Sequence, residues 1–275
     1  MNKFGLIFFI ILFSLLGCKP KDTEAKSGEN GDNSSTGKSK IIISVGVTDT
    51  CQQPITFEDG QGLSKDIVDE LNAMQDDFQF THEVIPTKRL EEMVKSGKID
   101  IAAFHNLAWG WTKESVEKSI DLINAKDVYI ALKKDQRDEK FFEDLDNRSK
   151  IGVMGFHYSF IENDLTPEQL KSKFNLDTVH SEKAVVDMVL SERCEVGIVS
   201  TLTLQYLMKK SPEKHTKLLI SEKYDTKYDR YYVLKKGISI KKDQFDSLLL
   251  KLHESGKLKE LFKNYGLDDP AIARN

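Results

Sequence analysis

IPTKRLEEMVKSGKIDIAAF, residues Ile85 to Phe104, decides the fold class of this 275-residue chain. Leu90, Met93 and Val94 fall on one face of a helix expected from Thr87 to Lys95, with Thr87 placed to cap it. Gly97 ends that helix, because glycine takes the left-handed conformation at no steric cost. Ile99 to Phe104 is then a short apolar run, the pattern of a strand buried on both faces. Upstream the same rhythm holds. Ile41 to Val47 (IIISVGV) reads as a buried strand. Ser64 to Met74 reads as a helix, with Ile67, Val68, Leu71 and Met74 on one face and Ser64 as a candidate cap. Phe78 to Ile85 reads as a second strand. The order is β-α-β-α-β, which calls for a parallel sheet with helices on both faces: an α/β protein.

A second set of the same type follows. Strands are expected at Asp127–Leu132, Lys150–Met154, Thr178–His180, Glu195–Ser200 and Tyr231–Leu234. Helices are expected at Thr166–Phe174, Glu182–Leu190, Leu202–Lys209, Lys241–His253 and Leu258–Tyr265. From about Ser39 onward the chain is long enough for one large or two small domains with sizeable cores. No repeat of fixed period is visible.

The first seventeen residues, MNKFGLIFFIILFSLLG, have another character. Lys3 supplies a positive start, Phe4 to Leu16 an almost unbroken apolar core, and Gly17 a small residue at a cleavage point. This is the pattern of a secretory signal peptide, too short for a comfortable membrane span. Leu15 to Cys18 resembles a lipobox, which implies lipidation of Cys18 and attachment of the exported protein to a membrane; an ordinary cleaved signal that contains a cysteine is the alternative. Lys19 to Lys38 has no large apolar residue, so it cannot offset its ordering entropy and is expected to be a disordered tether. As a flexible coil it would span about 25 Å.

Composition excludes several classes. The chain carries 40 basic and 44 acidic residues, net charge −4, with its cations scattered among acids. No basic stripe suits nucleic acid. Cys51 and Cys194 have no pairing signature and are expected to be separate thiols. There is no CxxC or HExxH, and the six histidines lack ligand spacing, so neither metal nor cofactor is expected.

Four passages, in order, resemble the bacterial extracellular solute-binding proteins of family 3, the amino-acid type that serves ABC transporters. They are GLSKDIVDELNA (Gly62 to Ala73), Ile85 to Phe104, EKAVVDMVLSERCEVGIVS (Glu182 to Ser200) and LHESGKLKELFKNYGLD (Leu252 to Asp268). The resemblance covers nearly all of Lys40 to Leu267. It implies a two-lobed, type II periplasmic-binding-protein-like α/β fold whose lobes are joined by two crossing strands. Residues 1–17 would be the signal peptide and 18–39 the lipidated cysteine and tether. Residues 40–124 with 238–275 would form the first lobe and 125–237 the second. The crossings would fall near Leu122–Lys126 and Lys236–Ser239. A monomer is expected, with a small-molecule solute and a membrane permease as partners.

The family holds an amino acid between an arginine and an aspartate. The arginine position corresponds here to Ser115 or a neighbour in Thr112-Lys113-Glu114-Ser115, and Ser200 and Thr201 stand where the aspartate would. Lys88 and Arg89 are the candidate replacement cations, at the N-terminus of a helix facing the cleft, an anion-binding position; as plain surface cations they would need no further explanation. His105-Asn106-Leu107-Ala108-Trp109-Gly110-Trp111 contains both tryptophans and is expected at the cleft rim. Phe156, His157 and Tyr158 face it from the other lobe, so rings from both lobes could sandwich a flat or cationic group; packing of one tryptophan as core is the alternative. Asp49 and Thr50 follow the first strand in the usual first-contact region, and Asp49 suits either a ligand amine or loop capping.

The leading expectation is a lipid-anchored, extracytoplasmic receptor for a small polar or aromatic solute, serving an ABC-type permease or a sensor. Two others stand beside it. Cyclohexadienyl dehydratases resemble the same family, and such an enzyme would need a cleft acid, for which Glu162 or Asp49 are candidates. A binding fold that no longer carries solute could instead serve as an interaction module.

Overall fold

The computed structural model describes residues 39–49, 52–161 and 165–274. The expected leader, lipidated Cys18 and tether, and Thr50, Cys51 and Glu162, lie outside the described residues.

The opening β-α-β-α-β unit folds as its periodicity requires, with β1 (Ile41–Thr48), α1 (Leu63–Ala73), β2 (Phe78–Ile85), α2 (Thr87–Ser96) and β3 (Ile101–His105). β1 lies parallel to both β2 and β3. Leu90 and Val94 of α2 are buried, and Gly97 closes the helix in the left-handed conformation at φ 77°. The two expected caps are placed differently. α2 has Pro86 at its cap and Thr87 one residue inside. Its first amide is satisfied from another segment: Asp49 Oδ1 accepts from Thr87 N and Thr87 Oγ1, both at 3.1 Å. α1 is capped at Gly62. Ser64 lies inside that helix, fully buried, with its hydroxyl 3.1 Å from His82 Nε2.

β4 (Val116–Lys118) leads into β5 (Ile123–Leu132). Then come β6 (Lys150–Val153), α3 (Pro167–Phe174), β7 (Leu176–Val179), α4 (Glu182–Leu190), β8 (Val196–Ser200) and α5 (Thr201–Lys210). α6 (Pro212–His215), β9 (Leu218–Lys235), α7 (Lys242–Glu254) and α8 (Lys257–Tyr265) complete the series. α3 begins with a Thr166–Gln169 capping box and Pro167 in its first turn, the strongest local start signal in the chain.

β9 organises the molecule. Its 18 residues run through both sheets. The last residues of β9 pair antiparallel with β3 and β4, and the rest pair antiparallel with β5. β5 continues the second sheet through β8, β6 and β7. The chain therefore passes between lobes along two adjacent strands, Ile123–Asp127 and Thr226–Arg230, which pair with each other. Leu122–Lys126, expected as the first crossing, overlaps the first of these segments. The return does not: Lys236 to Ser239 is a turn beyond the end of β9. The expected strand Tyr231–Leu234 is only the apolar end of a longer one whose middle, SEKYDTKYDR, reads as loop by polarity.

Each sheet buries its own residues. Ile43, Val45, Ile67, Leu71, Phe80, Tyr232 and Phe245 centre the core of the first lobe, to which α7 and α8 return. Val128, Ile130, Ile151, Val185, Val189 and Val199 centre that of the second. α5 straddles the two, with Leu202 in the first core and Leu204 in the second. Cys194 is buried and unpaired.

Candidate functional site: an interlobe cleft

A cavity of about 60 Å³ lies where the crossing strands meet the loops of both lobes. The first lobe contributes Thr48, Gln52, Thr87, Phe104, His105 and Trp109; the second contributes Gly155, Phe156 and His157. Asp127 and Arg230 come from the crossing strands themselves.

Local irregularities aim these side chains. Between Ala102 and His105 the β3–β9 register shifts by a residue, and Phe104 adopts φ 56°. A bulky residue in that left-handed region costs about 1–2 kcal/mol, here offset because the Phe104 ring enters the core against Tyr232 at 5.7 Å. The bulge turns His105 to the cleft. Trp111 Nε1 donates to His105 Nδ1 at 3.2 Å. An indole N–H can only donate, so Nδ1 is an acceptor and the neutral ring carries its proton on Nε2. Burial, then the Arg230 cation and His157, lower the His105 pKa to about 3, so the ring stays neutral.

Arg230 is 7 % exposed, and its guanidinium lies 5.0 Å from the rings of both Trp109 and Tyr228. It donates to the Phe104 carbonyl at 3.3 Å, while its Nε has no hydrogen-bond partner among the described residues. Gln52 Nε2, also on the cavity wall and buried, has none either. Asp127 accepts from the Tyr228 hydroxyl at 2.7 Å. Burial pushes its pKa up to about 6, against the lowering effects of that hydrogen bond and of Arg230. Among the described residues the cleft thus holds one cation, one carboxylate and two buried donor atoms with nothing to donate to. Such donors are costly unless an acceptor is brought to them.

The aromatic rim closes over this centre. Trp109 of the first lobe and His157 of the second are nearly parallel, 11° apart in plane and 6.2 Å between centroids. A flat group between them would need about 7 Å, twice the carbon contact distance, so the sandwich expected from the sequence has its two faces but a gap slightly too narrow. The loop carrying His157 is tied to β9 at another bulge, where Asp225 accepts from Ser159 N at 2.9 Å and from Ser159 Oγ at 2.7 Å.

His105, Trp109, Phe156 and His157 are brought together at the cavity. The other candidates are placed elsewhere. Asn106 braces its loop, donating to Asp229 O and accepting from Ala108 N, both at 2.8 Å. Trp111 is buried behind His105. Tyr158 is buried beneath the loop, its hydroxyl accepting from Val153 N at 2.7 Å. Ser200 is buried and its Oγ accepts from Leu202 N; Thr201 Oγ1 accepts from Lys126 N at 3.2 Å. Lys88 and Arg89 are exposed and do not line the cavity, while the amide terminus of their helix is met by the chain's own Asp49. Sequence reasoning missed Asp127, Arg230 and Gln52 on the cavity wall. The available signal was the aromatic and β-branched spacing of Tyr228, Tyr231, Tyr232 and Val233, which marks a strand through Arg230.

No known family profile matches the sequence, and no curated protein matches it. Solved structures do match in fold. Tv2483, solved bound to L-arginine, is 13% identical, with a TM-score of 0.63 over 85% of this chain and 94% of that one. A mutant of ArgBP from T. maritima is 17% identical, with a TM-score of 0.61 over 82% of this chain and 94% of that one. The GluR0 ligand-binding core from Nostoc punctiforme, in complex with L-glutamate, is 13% identical, with a TM-score of 0.61 over 81% of this chain and 98% of that one. The chain has the two-lobed, type II periplasmic-binding-protein-like fold that these proteins share. A substrate binding protein of an amino acid ABC transporter and the GluR0 ligand-binding core are both among these fold matches. Among the described residues no group of three or more His, Cys, Asp and Glu could hold a metal ion, and no helix is long and apolar enough to cross a membrane.

Proposed function

We propose that the chain is an extracytoplasmic solute-binding protein, anchored through a lipidated Cys18, that closes its lobes on a small solute bearing an acidic end and a donor end. The observation that carries this is the pair of buried donors without a partner among the described residues, Arg230 Nε and Gln52 Nε2, sharing a cavity wall with the Asp127 carboxylate. A solute carboxylate satisfies both donors, and an ammonium satisfies Asp127. The cavity of about 60 Å³ favours the smallest such molecules. Fold relatives solved with L-arginine, L-glutamate or alanine support an amino-acid-like solute. A permease or a membrane sensor is the proposed recipient, reached by closure of the lobes about the crossing strands.

Calorimetric titration of the purified protein with small amino acids, amines, carboxylates, sugars and aromatic cations tests the reading. Binding of a small zwitterion is expected, weakened roughly 30-fold or more in Arg230→Gln, since removing one partner of a buried charge pair costs about 2–5 kcal/mol. Binding of sugars or aromatic cations alone, or an Arg230→Gln variant that binds as well as the parent, would overturn it.

A further inference from the structure

Behind the cleft, Glu182 is a buried carboxyl that solute contact does not use. It is the first residue of α4, 1 % exposed. Its Oε1 accepts from Ser200 N at 2.5 Å, and its Oε2 meets the Thr203 hydroxyl of α5. The same hydroxyl lies 2.8 Å from the Gln53 carbonyl oxygen, in the first-lobe loop that also carries Gln52.

Counting hydrogens decides the direction of this chain of contacts. Thr203 Oγ1 has one proton and two neighbouring oxygens. A carbonyl oxygen never donates. If the Thr203 proton goes to Gln53 O, the contact with Glu182 is a hydrogen bond only when Glu182 supplies the proton. With Glu182 ionised, the hydroxyl must turn to the carboxylate and leave Gln53 O without its donor.

We propose that Glu182 acts in its acid form as a positioning residue: its carboxyl proton goes to Thr203 Oγ1, the Thr203 proton goes to the Gln53 carbonyl, and this relay seats the Gln52–Gln53 loop against the cleft. The surroundings favour the acid. Burial, and then the like charge of Asp127 on β5, raise the Glu182 pKa to about 7; the Thr203 and Ser200 hydrogen bonds and Arg230 on β9 oppose it. Tyr228 on β9 and Tyr158 in the loop after β6 are the other titratable groups turned to this cluster, and burial raises both phenols. Lys183 on α4 is turned away, paired with Asp187 at 2.8 Å. The relay rests on the solute-cleft reading only in giving Gln52 a ligand to meet.

The test therefore uses no solute. Infrared spectra of the full chain near pH 6 should contain a protonated-carboxyl band that disappears in Glu182→Gln, identified in the difference spectrum so that Asp127 does not contribute. Thr203→Ser should leave that band in place, and Thr203→Val should shift it by removing its acceptor. Amide exchange at Ile55 to Phe57 should quicken in the parent, after correction for intrinsic rates, as pH rises through about 7. In Glu182→Gln, whose amide donates at every pH, that protection should not change with pH. A missing band, a Thr203→Val spectrum identical to the parent's, or a Glu182→Gln variant with the parent's pH-dependent exchange would each overturn the relay. A cleft that binds no zwitterion would leave these spectra unaffected, so the two readings fail separately.

Discussion

Buried polar residues, more than the aromatic rim, set what this molecule can do. Trp111 shows how one hydrogen bond defines a neighbour. Its indole fixes His105 as the Nε2–H tautomer, and Trp111→Phe keeps one aromatic ring while removing the donor with the rest of the indole. The variant should lose about 1 kcal/mol of stability and show a mixture of His105 tautomers by nitrogen NMR; a single unchanged tautomer would remove the indole from that role. Three of the shifted groups also predict a pH profile of stability. Glu182 and Asp127 have folded pKa values of about 7 and about 6, above their ordinary values of 4.5 and 3.8. Their contribution is fully present below those unfolded values and is lost as pH rises through the folded ones. His105 runs the other way: its pKa falls from 6.5 to about 3, so its contribution is lost as pH falls through that range. Relative to Glu182→Gln, the parent should lose stability between about pH 5 and 7, by at most about 1.4 kcal/mol per unit. Parallel denaturant curves for the two proteins across that range would contradict it.

At the level of elements, apolar periodicity carried most of the information. β1, β2, α2, α4 and β8 begin and end within about two residues of their expected bounds, since each buries an apolar face that polar flanks cannot share. β9 was hidden because its middle lies at the crossing, where strands meet a polar cleft instead of a hydrophobic layer, so Lys227, Asp229 and Arg230 replace the apolar alternation. Local spacing could have marked a strand through Arg230, but that Arg230 and Asp127 reach one cavity depends on the pairing of β5 with β9, which no local pattern encodes. Gly152 on β6 is an element-scale constraint of another kind. A Cβ there would stand 2.6 Å from the Tyr158 hydroxyl, which accepts from the adjacent Val153 amide. Gly152→Ala should displace that ring and cost about 1–3 kcal/mol, lowering Tm; an unchanged Tm would show that the ring has another place to go.

Across the whole molecule the lobes also touch through residues that do not line the cavity. Tyr206 of α5 packs on Phe57 at 5.6 Å and Tyr265 at 6.5 Å between ring centroids. Nearby, Gln205 Nε2 donates to Asp268 at 2.7 Å and Lys209 Nζ to the Lys263 carbonyl at 2.6 Å. These contacts favour the arrangement seen here without touching a solute. Tyr206→Ala should therefore weaken solute binding several-fold by lowering the population of the competent form, with an unchanged rank order of solutes in calorimetry. A changed rank order would mean that α5 shapes the pocket itself.

The shared strand also dictates an order of assembly. β3 waits for a partner that lies more than a hundred residues downstream, and α7 and α8, which complete the first core, come later still. An emerging chain can close neither sheet until β9 exists, and β9 then completes both in one event. The two lobes should consequently unfold together in a single cooperative transition by both calorimetry and tryptophan fluorescence, and a chain ending before Leu218 should fold neither half.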